Sequence, residues 1–149
     1  MTRYPSQLCT FFVGDYHFGV DVLDVHEVLR FHDVTPVPLA PRVIRGLINL
    51  RGQIVTAVDF RLRLGLPRAP ANMEPANVIV RTDDGAVSLL VDEVGDVFDV
   101  AHAAFSPPPP TLTGAARAVI SGVCKLDRQL VLILDVPRTL ELSQEAATP

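Results

Sequence analysis

One stretch of this chain occurs twice, and the repeat limits the folds that the chain can adopt. Residues 44–64 align with residues 120–140 at a constant offset of 76. The identical pairs include Ile44 and Ile120, Gly46 and Gly122, Leu50 and Leu126, Gln53 and Gln129, Val55 and Val131, and Asp59 and Asp135. A half-chain of about 70 residues buries little surface alone. We therefore expect two similar halves that share one core.

Apolar runs rich in β-branched residues predict strands over most of the chain. The predicted hairpins are 8–20, 47–58, 77–91 and 119–134, and a further strand is predicted at 94–100. Asp59 is predicted to cap a short helix at 60–64, with Gly65 after it, and a second short helix is predicted at 135–142. Gly46 is predicted to end one helical turn at 42–45, and the prolines at 107–110 predict an extended connector. Each half is therefore expected to be a curled sheet or barrel of SH3-like size.

The composition is that of a folded protein from a reducing compartment. Of the 149 residues, 48% are hydrophobic and 20% are charged, which excludes a disordered chain. No apolar run approaches the roughly 20 residues of a membrane span, and residues 1–6 lack the apolar core of a signal peptide. Cys9 and Cys124 lie in apolar stretches and are expected to be buried free thiols. We therefore expect a cytoplasmic protein with no membrane insertion.

Charge is unevenly distributed along the chain, although the net charge is only -4. Residues 42–68 hold six arginines and one acid, whereas residues 83–99 hold six acids and no base. The acidic balance argues against a nucleic-acid-binding domain, and a mixed surface is more typical of protein partners. Two solvated faces of opposite sign are the alternative interpretation.

Catalytic, metal and cofactor sites find little support in the sequence. Neither cysteine lies in a nucleophile motif, the cysteines do not form a CxxC pair, and the four histidines show no metal-ligand spacing. A glycine-rich phosphate loop is also missing, because Gly46 and Gly52 flank a strand without the following lysine or helix. We therefore predict no catalytic residue, no metal, no cofactor and no enzymatic activity.

Arg51 stands out because it interrupts an apolar stretch, Asn49-Leu50-Arg51-Gly52. A buried guanidinium needs a carboxylate or several carbonyl acceptors. Glu27 interrupts the other apolar stretch, at residues 25–29, so we predict a Glu27–Arg51 ion pair that spans two strands. The alternative is that Arg51 lies at a hairpin tip in water.

These stretches resemble the CheW-like domain family. The resemblance is carried by IRGLINLRGQIVTAVDFRLRLG at 44–65, FGVDVLDVHEVL at 18–29, VTPVPLAP at 34–41, VDEVGDV at 91–97 and LVLILDVPRTL at 130–140. It implies a mainly β fold of two five-stranded SH3-like barrel lobes around a shared hydrophobic core, with a few short helices. It also implies one domain over 7–142, with one lobe at about 15–75 plus the last strands, the other at about 77–135, and a tail at 143–149.

The resemblance further implies a non-enzymatic adaptor. Members of the family link the cytoplasmic helical tip of chemoreceptors to the regulatory domain of the histidine kinase CheA, at receptor arrays on the membrane. The chain begins at Met1 without a kinase or receiver part, so a stand-alone coupling protein is expected. The alternative is a CheW-like module of another chemosensory pathway, such as gliding, twitching or biofilm formation.

Specific residues follow from the same resemblance. The expected kinase interface is Val25 and Glu27, and the expected receptor interface is Val43, Leu47, Asn49 and Arg51. Residues 97–100 are expected to form the second wall of the receptor groove. Gly46, Gly52 and Asp59 are expected to have structural roles.

Overall fold

The computed structural model describes residues 4–126 and 128–141, and most of them lie in short strands. The strands are β1 (Gln7–Val13), β2 (Tyr16–Asp21), β3 (Val25–Leu29), β4 (Ile44–Leu50), β5 (Gln53–Asp59), β6 (Ala76–Thr82), β7 (Gly85–Val91), β8 (Glu93–Asp99), β9 (Ala104–Ser106), β10 (Ile120–Leu126) and β11 (Gln129–Leu134). The helices are α1 (Phe60–Arg63), α2 (Gly114–Ala118) and α3 (Val136–Thr139), and one 3-10 turn covers Val22–Asp24. The predicted tail at 143–149 and the end of the last predicted helix at 142 lie outside the described residues.

Two sheets are formed, and each takes strands from both halves of the chain. The first has the order β8-β1-β2-β11-β10-β9, and the second has the order β3-β6-β7-β5-β4. Within them β5 runs parallel to β7 and β11 runs parallel to β2, and the other pairs are antiparallel. The mainly β, two-sheet class is therefore confirmed. Strand β2 pairs with β11 in the first sheet, whereas β3, β4 and β5 join the second.

The internal repeat corresponds to a repeated structure. In β4–β5, Ile44 pairs with Val58 and a bulge precedes Gly46. In β10–β11, Ile120 pairs with Leu134 and a bulge precedes Gly122. The sequence offset of 76 thus relates two hairpins with the same register and the same irregularity.

Both repeated hairpins end in a helix capped by an aspartate. The Asp59 carboxylate accepts a hydrogen bond from the Leu62 N–H at 3.2 Å, and the Asp135 carboxylate accepts one from the Arg138 N–H at 3.0 Å. Such a cap satisfies one of the amide donors that the first turn of a helix leaves free. The two helices also meet, since the Arg63 side chain donates to the carbonyl of Thr139, its own equivalent in the repeat, at 3.0 Å.

The largest apolar cluster lies between the sheets and draws on both of them. Phe11 and Phe18 come from the first sheet, Val78 and Leu89 come from the second, and Phe60 of α1 packs against both phenylalanines. Each sheet also has a smaller cluster of its own, which contains Ile48 and Val55 in one and their equivalents Cys124 and Val131 in the other. The shared core that the sequence predicts is therefore present.

Two local predictions are corrected by the structure, and one helix is added to them. The turn after Pro41 is closed by a bond from the Ile44 N–H to the Pro41 carbonyl, and β4 begins at Ile44, so Gly46 lies inside a strand and ends no helix. The first sheet has six strands, because the unpredicted β9 adds to its edge. Helix α2 was not predicted from the sequence.

Within the described residues, no helix is long and apolar enough to cross a membrane.

Gly46 is needed because another backbone segment crosses it. Its φ is +150°, and a Cβ built on it would lie 2.1 Å from the Thr35 carbonyl oxygen. The Thr35 segment lies this close to Gly46 because Thr35 and Leu47, the residue after Gly46, exchange two backbone hydrogen bonds of 2.8 Å. A Cβ built on Gly122 in the repeat would likewise lie 2.7 Å from the Ser106 carbonyl oxygen.

We predict that Gly46→Ala lowers the free energy of unfolding by more than about 3 kcal/mol, because the new methyl group would displace the Thr35 segment. Urea denaturation measures the change. Gly85→Ala is the control, since Gly85 also has a positive φ (116°) but open space around it, and it should cost only about 1–3 kcal/mol of backbone strain. Equal losses in the two variants would contradict the steric explanation.

Candidate functional site

Glu27 and Arg51 form a bidentate ion pair. The Arg51 Nη1 donates to Glu27 Oε2 at 2.8 Å, and Nη2 donates to Oε1 at 2.6 Å. The Arg51 side chain is 71% exposed, whereas the Glu27 side chain is only 16% exposed. The predicted contact therefore forms, and the alternative holds in part, because Arg51 is at a hairpin tip in contact with solvent. The pair presents an oriented guanidinium at the surface.

The turn between β4 and β5 holds Arg51 in place. Arg51 and Gly52 both have positive φ values, 51° and 85°, as the two central residues of a type I′ hairpin turn require. The Asn49 side-chain oxygen accepts the Gly52 N–H at 3.0 Å, which ties the turn together. His32 contacts the Asn49 carbonyl through Nε2 at 3.0 Å. Asn49 and Gly52 thus support the conformation that displays Arg51.

The ion pair joins the two edges of the second sheet. Glu27 lies on β3 and Arg51 follows β4, and these strands are at opposite ends of the order β3-β6-β7-β5-β4. Contact between them requires the sheet to curl until its edges approach. The bridge between Thr35 and Leu47 closes the same side. The SH3-like curvature of this sheet and the geometry of the site therefore depend on each other.

A second ion pair connects the two sheets. Arg61 of α1 donates through Nε and Nη2 to the Asp92 carboxylate, both at 2.7 Å, and the Gly14 N–H of the β1–β2 turn donates to Asp92 at 2.8 Å. Burial raises the pKa of Asp92, but the bonds from Arg61 and Gly14 outweigh it, so the pKa lies below its ordinary value. One carboxylate thus fastens a turn of the first sheet to a helix of the second.

An open groove lies where the chain crosses from one sheet to the other. It has a volume of about 710 Å³ and is lined by the end of β3, by residues 74–76 and by the start of β8. Val28, Phe31 and Val94 give it an apolar strip. Its charged lining residues are three acids and one base: Glu74, Asp92, Glu93 and Arg30. An apolar strip with an acidic margin suits a partner that is apolar along one face and basic beside it.

The predicted interface residues are distributed over several places. Glu27, Asn49 and Arg51 come together at the hairpin tip, whereas Leu47 is half-buried beside Thr35. Val25 and Val43 are partly buried against the shared core. Of the predicted second wall, Val97 is exposed and Val100 is fully buried. Val43, Leu47, Asn49, Arg51 and residues 97–100 are not in the lining of the groove described above.

The groove residues and the Arg61–Asp92 pair were missed by the sequence reasoning. Asp92 had a signal, because Val91-Asp92 repeats the dipeptide Val20-Asp21 of the first half. Arg61 had a subtler one, since its equivalent at the offset of 76 is Pro137 and the repeat therefore breaks there. Phe31 lies in no periodic stretch, so nothing in the pattern marks it as part of a groove.

The structure bears on metal binding and on the chemistry of the two thiols. Among residues 4–126 and 128–141, no group of three or more His, Cys, Asp or Glu side chains is placed to hold a metal ion. Burial raises the pKa of the Cys9 and Cys124 thiols, which keeps them protonated and poorly nucleophilic. What the surface offers instead is an oriented arginine, an apolar groove and separated charges, which are means of binding other molecules.

Comparisons with known proteins agree with this geometry. The family model described as the CheW-like domain matches residues 7–144. The Chemotaxis protein CheW of Rhizobium meliloti is 30% identical over 136 residues, which cover 91% of this chain and 88% of that protein. Protein FrzA of Myxococcus xanthus is 25% identical over 97% of this chain and 91% of its own length. The crystal structure of the scaffolding protein TtCheW from Thermoanaerobacter tengcongensis is similar with a TM-score of 0.84 and 28% identity, covering 97% of this chain and 99% of that one.

We predict that Glu27 and Arg51 are coupled by about 1 kcal/mol or less in stability, because the arginine is mostly in water. A double-mutant cycle with Glu27→Gln and Arg51→Gln in urea denaturation gives the coupling energy. A value near the about 3–5 kcal/mol of a buried pair would show that the contact is desolvated in solution.

We predict a larger effect at the second pair, because both side chains are less than one-fifth exposed. Asp92→Asn should lower the free energy of unfolding by more than the about 1 kcal/mol of an exposed pair, and by up to about 3–5 kcal/mol. Since the folded pKa of Asp92 is lowered, its contribution is complete above the unfolded value of about 3.9 and is lost as the pH falls through the folded value. The difference between the wild type and the variant should therefore shrink in acid.

Urea denaturation at a series of pH values from about 2 to 7 measures this difference. Asp96→Asn is the control, because Asp96 is exposed on β8, which directly follows Asp92, and forms no salt bridge among the described residues. If the loss of unfolding free energy in Asp92→Asn stayed constant down to pH 2, the stabilising role of the Arg61–Asp92 ion pair would be contradicted.

Proposed function

Because this chain belongs to the CheW-like domain family, we propose that it is a non-enzymatic adaptor that couples chemoreceptors to the histidine kinase CheA. The observation that carries the proposal is the family match over nearly the whole chain. The surface supports it, since the oriented arginine and the apolar groove are binding features. An adaptor of this kind acts through contact energies and needs no bond chemistry.

For the receptor, we propose a helical tip that lays its apolar ridge against this protein. The groove with Val28, Phe31 and Val94 offers an apolar strip for such a helix. Val43, Leu47, Asn49 and Arg51 are proposed to extend the contact. The guanidinium of Arg51 would bind carboxylates or carbonyls of the receptor, because Glu27 orients it without removing it from solvent.

For the kinase, we propose a contact of the CheA regulatory domain with Val25 and Glu27. Glu27 is also the partner of Arg51, so one ion pair would belong to both proposed interfaces. A partner that shifts Glu27 would then change how Arg51 is presented to the other. A coupling free energy of about 1–3 kcal/mol between the two contacts corresponds to a change of about 5–150-fold in affinity.

In the cell we propose a cytoplasmic protein that is recruited to receptor arrays at the membrane. A second pathway is supported by one comparison. Protein FrzA is a relative over most of its length, and its name does not mention chemotaxis. The same adaptor chemistry could therefore serve another chemosensory pathway, and the receptor that binds would identify it.

The proposal is tested by capture and by kinase assays. We expect the immobilised protein to retain both a CheA regulatory domain and a receptor cytoplasmic fragment. Arg51→Ala should stay folded and lower receptor-dependent kinase activation by at least about fivefold, because the oriented guanidinium is lost. Arg68→Ala is the matched control, since Arg68 is exposed and forms no salt bridge among the described residues.

Two results would count against the proposal at different levels. Full activation by a folded Arg51→Ala protein would show that Arg51 is no part of the receptor contact. If the wild-type protein retained neither the kinase domain nor the receptor fragment, the adaptor function itself would be wrong.

A further inference from the structure

Leu39 has an unusual combination of exposure and backbone conformation. It is fully exposed to solvent and has a φ of +65°. It lies in the sequence Pro36-Val37-Pro38-Leu39-Ala40-Pro41, where the prolines fix the neighbouring backbone. An N–H to C=O bond from Ala40 to Val37 closes the turn. The prolines and the turn thus restrict the backbone of a loop that holds a large apolar side chain in water.

This placement is unfavourable for the isolated chain in two respects. The left-handed region costs a leucine free energy that glycine does not lose and that asparagine loses less often. Full exposure also forgoes the gain from burying the side chain. The repeat does not call for a leucine here, because the offset of 76 places Ala115 of α2 opposite Leu39. Backbone strain held at an exposed residue points to a role in binding.

Charge accompanies the apolar tip. Val37 is 38% exposed beside Leu39, and Arg42 follows at an exposed position where it forms no salt bridge among the described residues. We call residues 37–42 the Leu39 knob. Its complement would be an apolar hollow with carboxylates at the margin, since a cation beside an apolar anchor is best matched in that way.

The groove between the sheets has this character. Its apolar strip contains Val28 and Phe31, which are 37% and 51% exposed. Glu74 and Glu93 are exposed in its lining and form no salt bridge among the residues described. The lining also holds one base, Arg30, and a third acid, Asp92, so acids outnumber bases three to one. None of the knob residues is in that lining. Each copy of the chain therefore presents both an unpartnered knob and an unpartnered groove that complement each other.

We propose that the Leu39 knob of one copy docks into the groove of a second copy. The two surfaces differ, so the contact is heterologous, and each dimer keeps one free knob and one free groove. Association should thus continue beyond the dimer as concentration rises. A contact made by one loop is small, which predicts weak and reversible association.

The proposed contact has a consequence that rests on the proposed function. If the groove takes the receptor helix, then self-docking and receptor binding exclude each other at that groove. Adding a receptor fragment should then dissociate the larger species. Self-docking itself requires only the two surfaces and is tested without any partner.

Sedimentation velocity over a concentration series up to about 1 mM, a range that detects millimolar dissociation constants, tests the docking. We expect the wild type to shift to larger species with concentration and Leu39→Asn to remain monomeric. Because asparagine tolerates the left-handed region, this variant should also unfold at a temperature about 2–4 °C higher. Leu23→Asn is the matched control, since Leu23 is 68% exposed outside both surfaces, and it should associate like the wild type.

A mixing experiment tests which surfaces meet. Phe31→Ser removes the groove contact and should be monomeric alone. A mixture of Leu39→Asn and Phe31→Ser retains one intact groove and one intact knob, so it should form a dimer and nothing larger.

Three results would overturn the proposal: a wild type that stays monomeric throughout the range, a Leu39→Asn protein that associates like the wild type, and a mixture that forms no dimer. Loss of CheA-domain binding in Leu39→Asn without any self-association would assign the knob to the kinase and would also overturn it. Because none of the association measurements uses a receptor or a kinase, they separate this inference from the adaptor function.

Discussion

The apolar core between the two sheets is the contact on which the rest of the structure depends. Neither half of the chain completes a sheet alone, because β3 of the first half pairs with β6 of the second and β8 of the second pairs with β1 of the first. Once strands are exchanged in this way, the sheets cannot separate without losing backbone pairing as well as apolar contact. The Arg61–Asp92 pair and the contact of Arg63 with Thr139 lie across the same junction. Chain crossings, ion pair and core thus fix the groove that lies between the sheets.

Much of this arrangement could be predicted from the repeat, because the repeated residues act locally. Gly46 and Gly122 accommodate a crossing carbonyl, and Asp59 and Asp135 cap a helix that directly follows their strand. The Glu27–Arg51 pair could also be predicted, since two charges in apolar stretches need each other. The glycines and the caps depend on residues nearby in the sequence, and the ion pair depends on the need of one buried charge for an opposite charge.

The features that were not predicted from the sequence depend on the topology, that is, on which sheet each strand joins. Strand exchange between the halves leaves no mark on periodicity, because β3 alternates in the same way whichever sheet it joins. Strand β9 has only three residues, which is too short for a pattern. The groove joins Phe31 to Val94, residues that become neighbours only after both crossings have formed. The exposed position of Arg51 likewise follows from a two-residue turn, which a burial pattern alone does not distinguish from a strand interior.

A comparison of the two halves also distinguishes residues that serve the fold from residues that serve binding. Where both halves keep the same residue at the offset of 76, the structure gives that residue a fold role, as it does for the capping aspartates. At some positions where the halves differ, the structure uses a polar residue of the first half. Arg61 corresponds to Pro137, and Asn49, which ties the turn of Arg51, corresponds to Lys125. The fold tolerates both versions because it contains both. Arg61 serves the fold through its pair with Asp92. The second hairpin folds without an equivalent of Asn49, so a requirement to display Arg51 to other molecules explains that asparagine better than folding does.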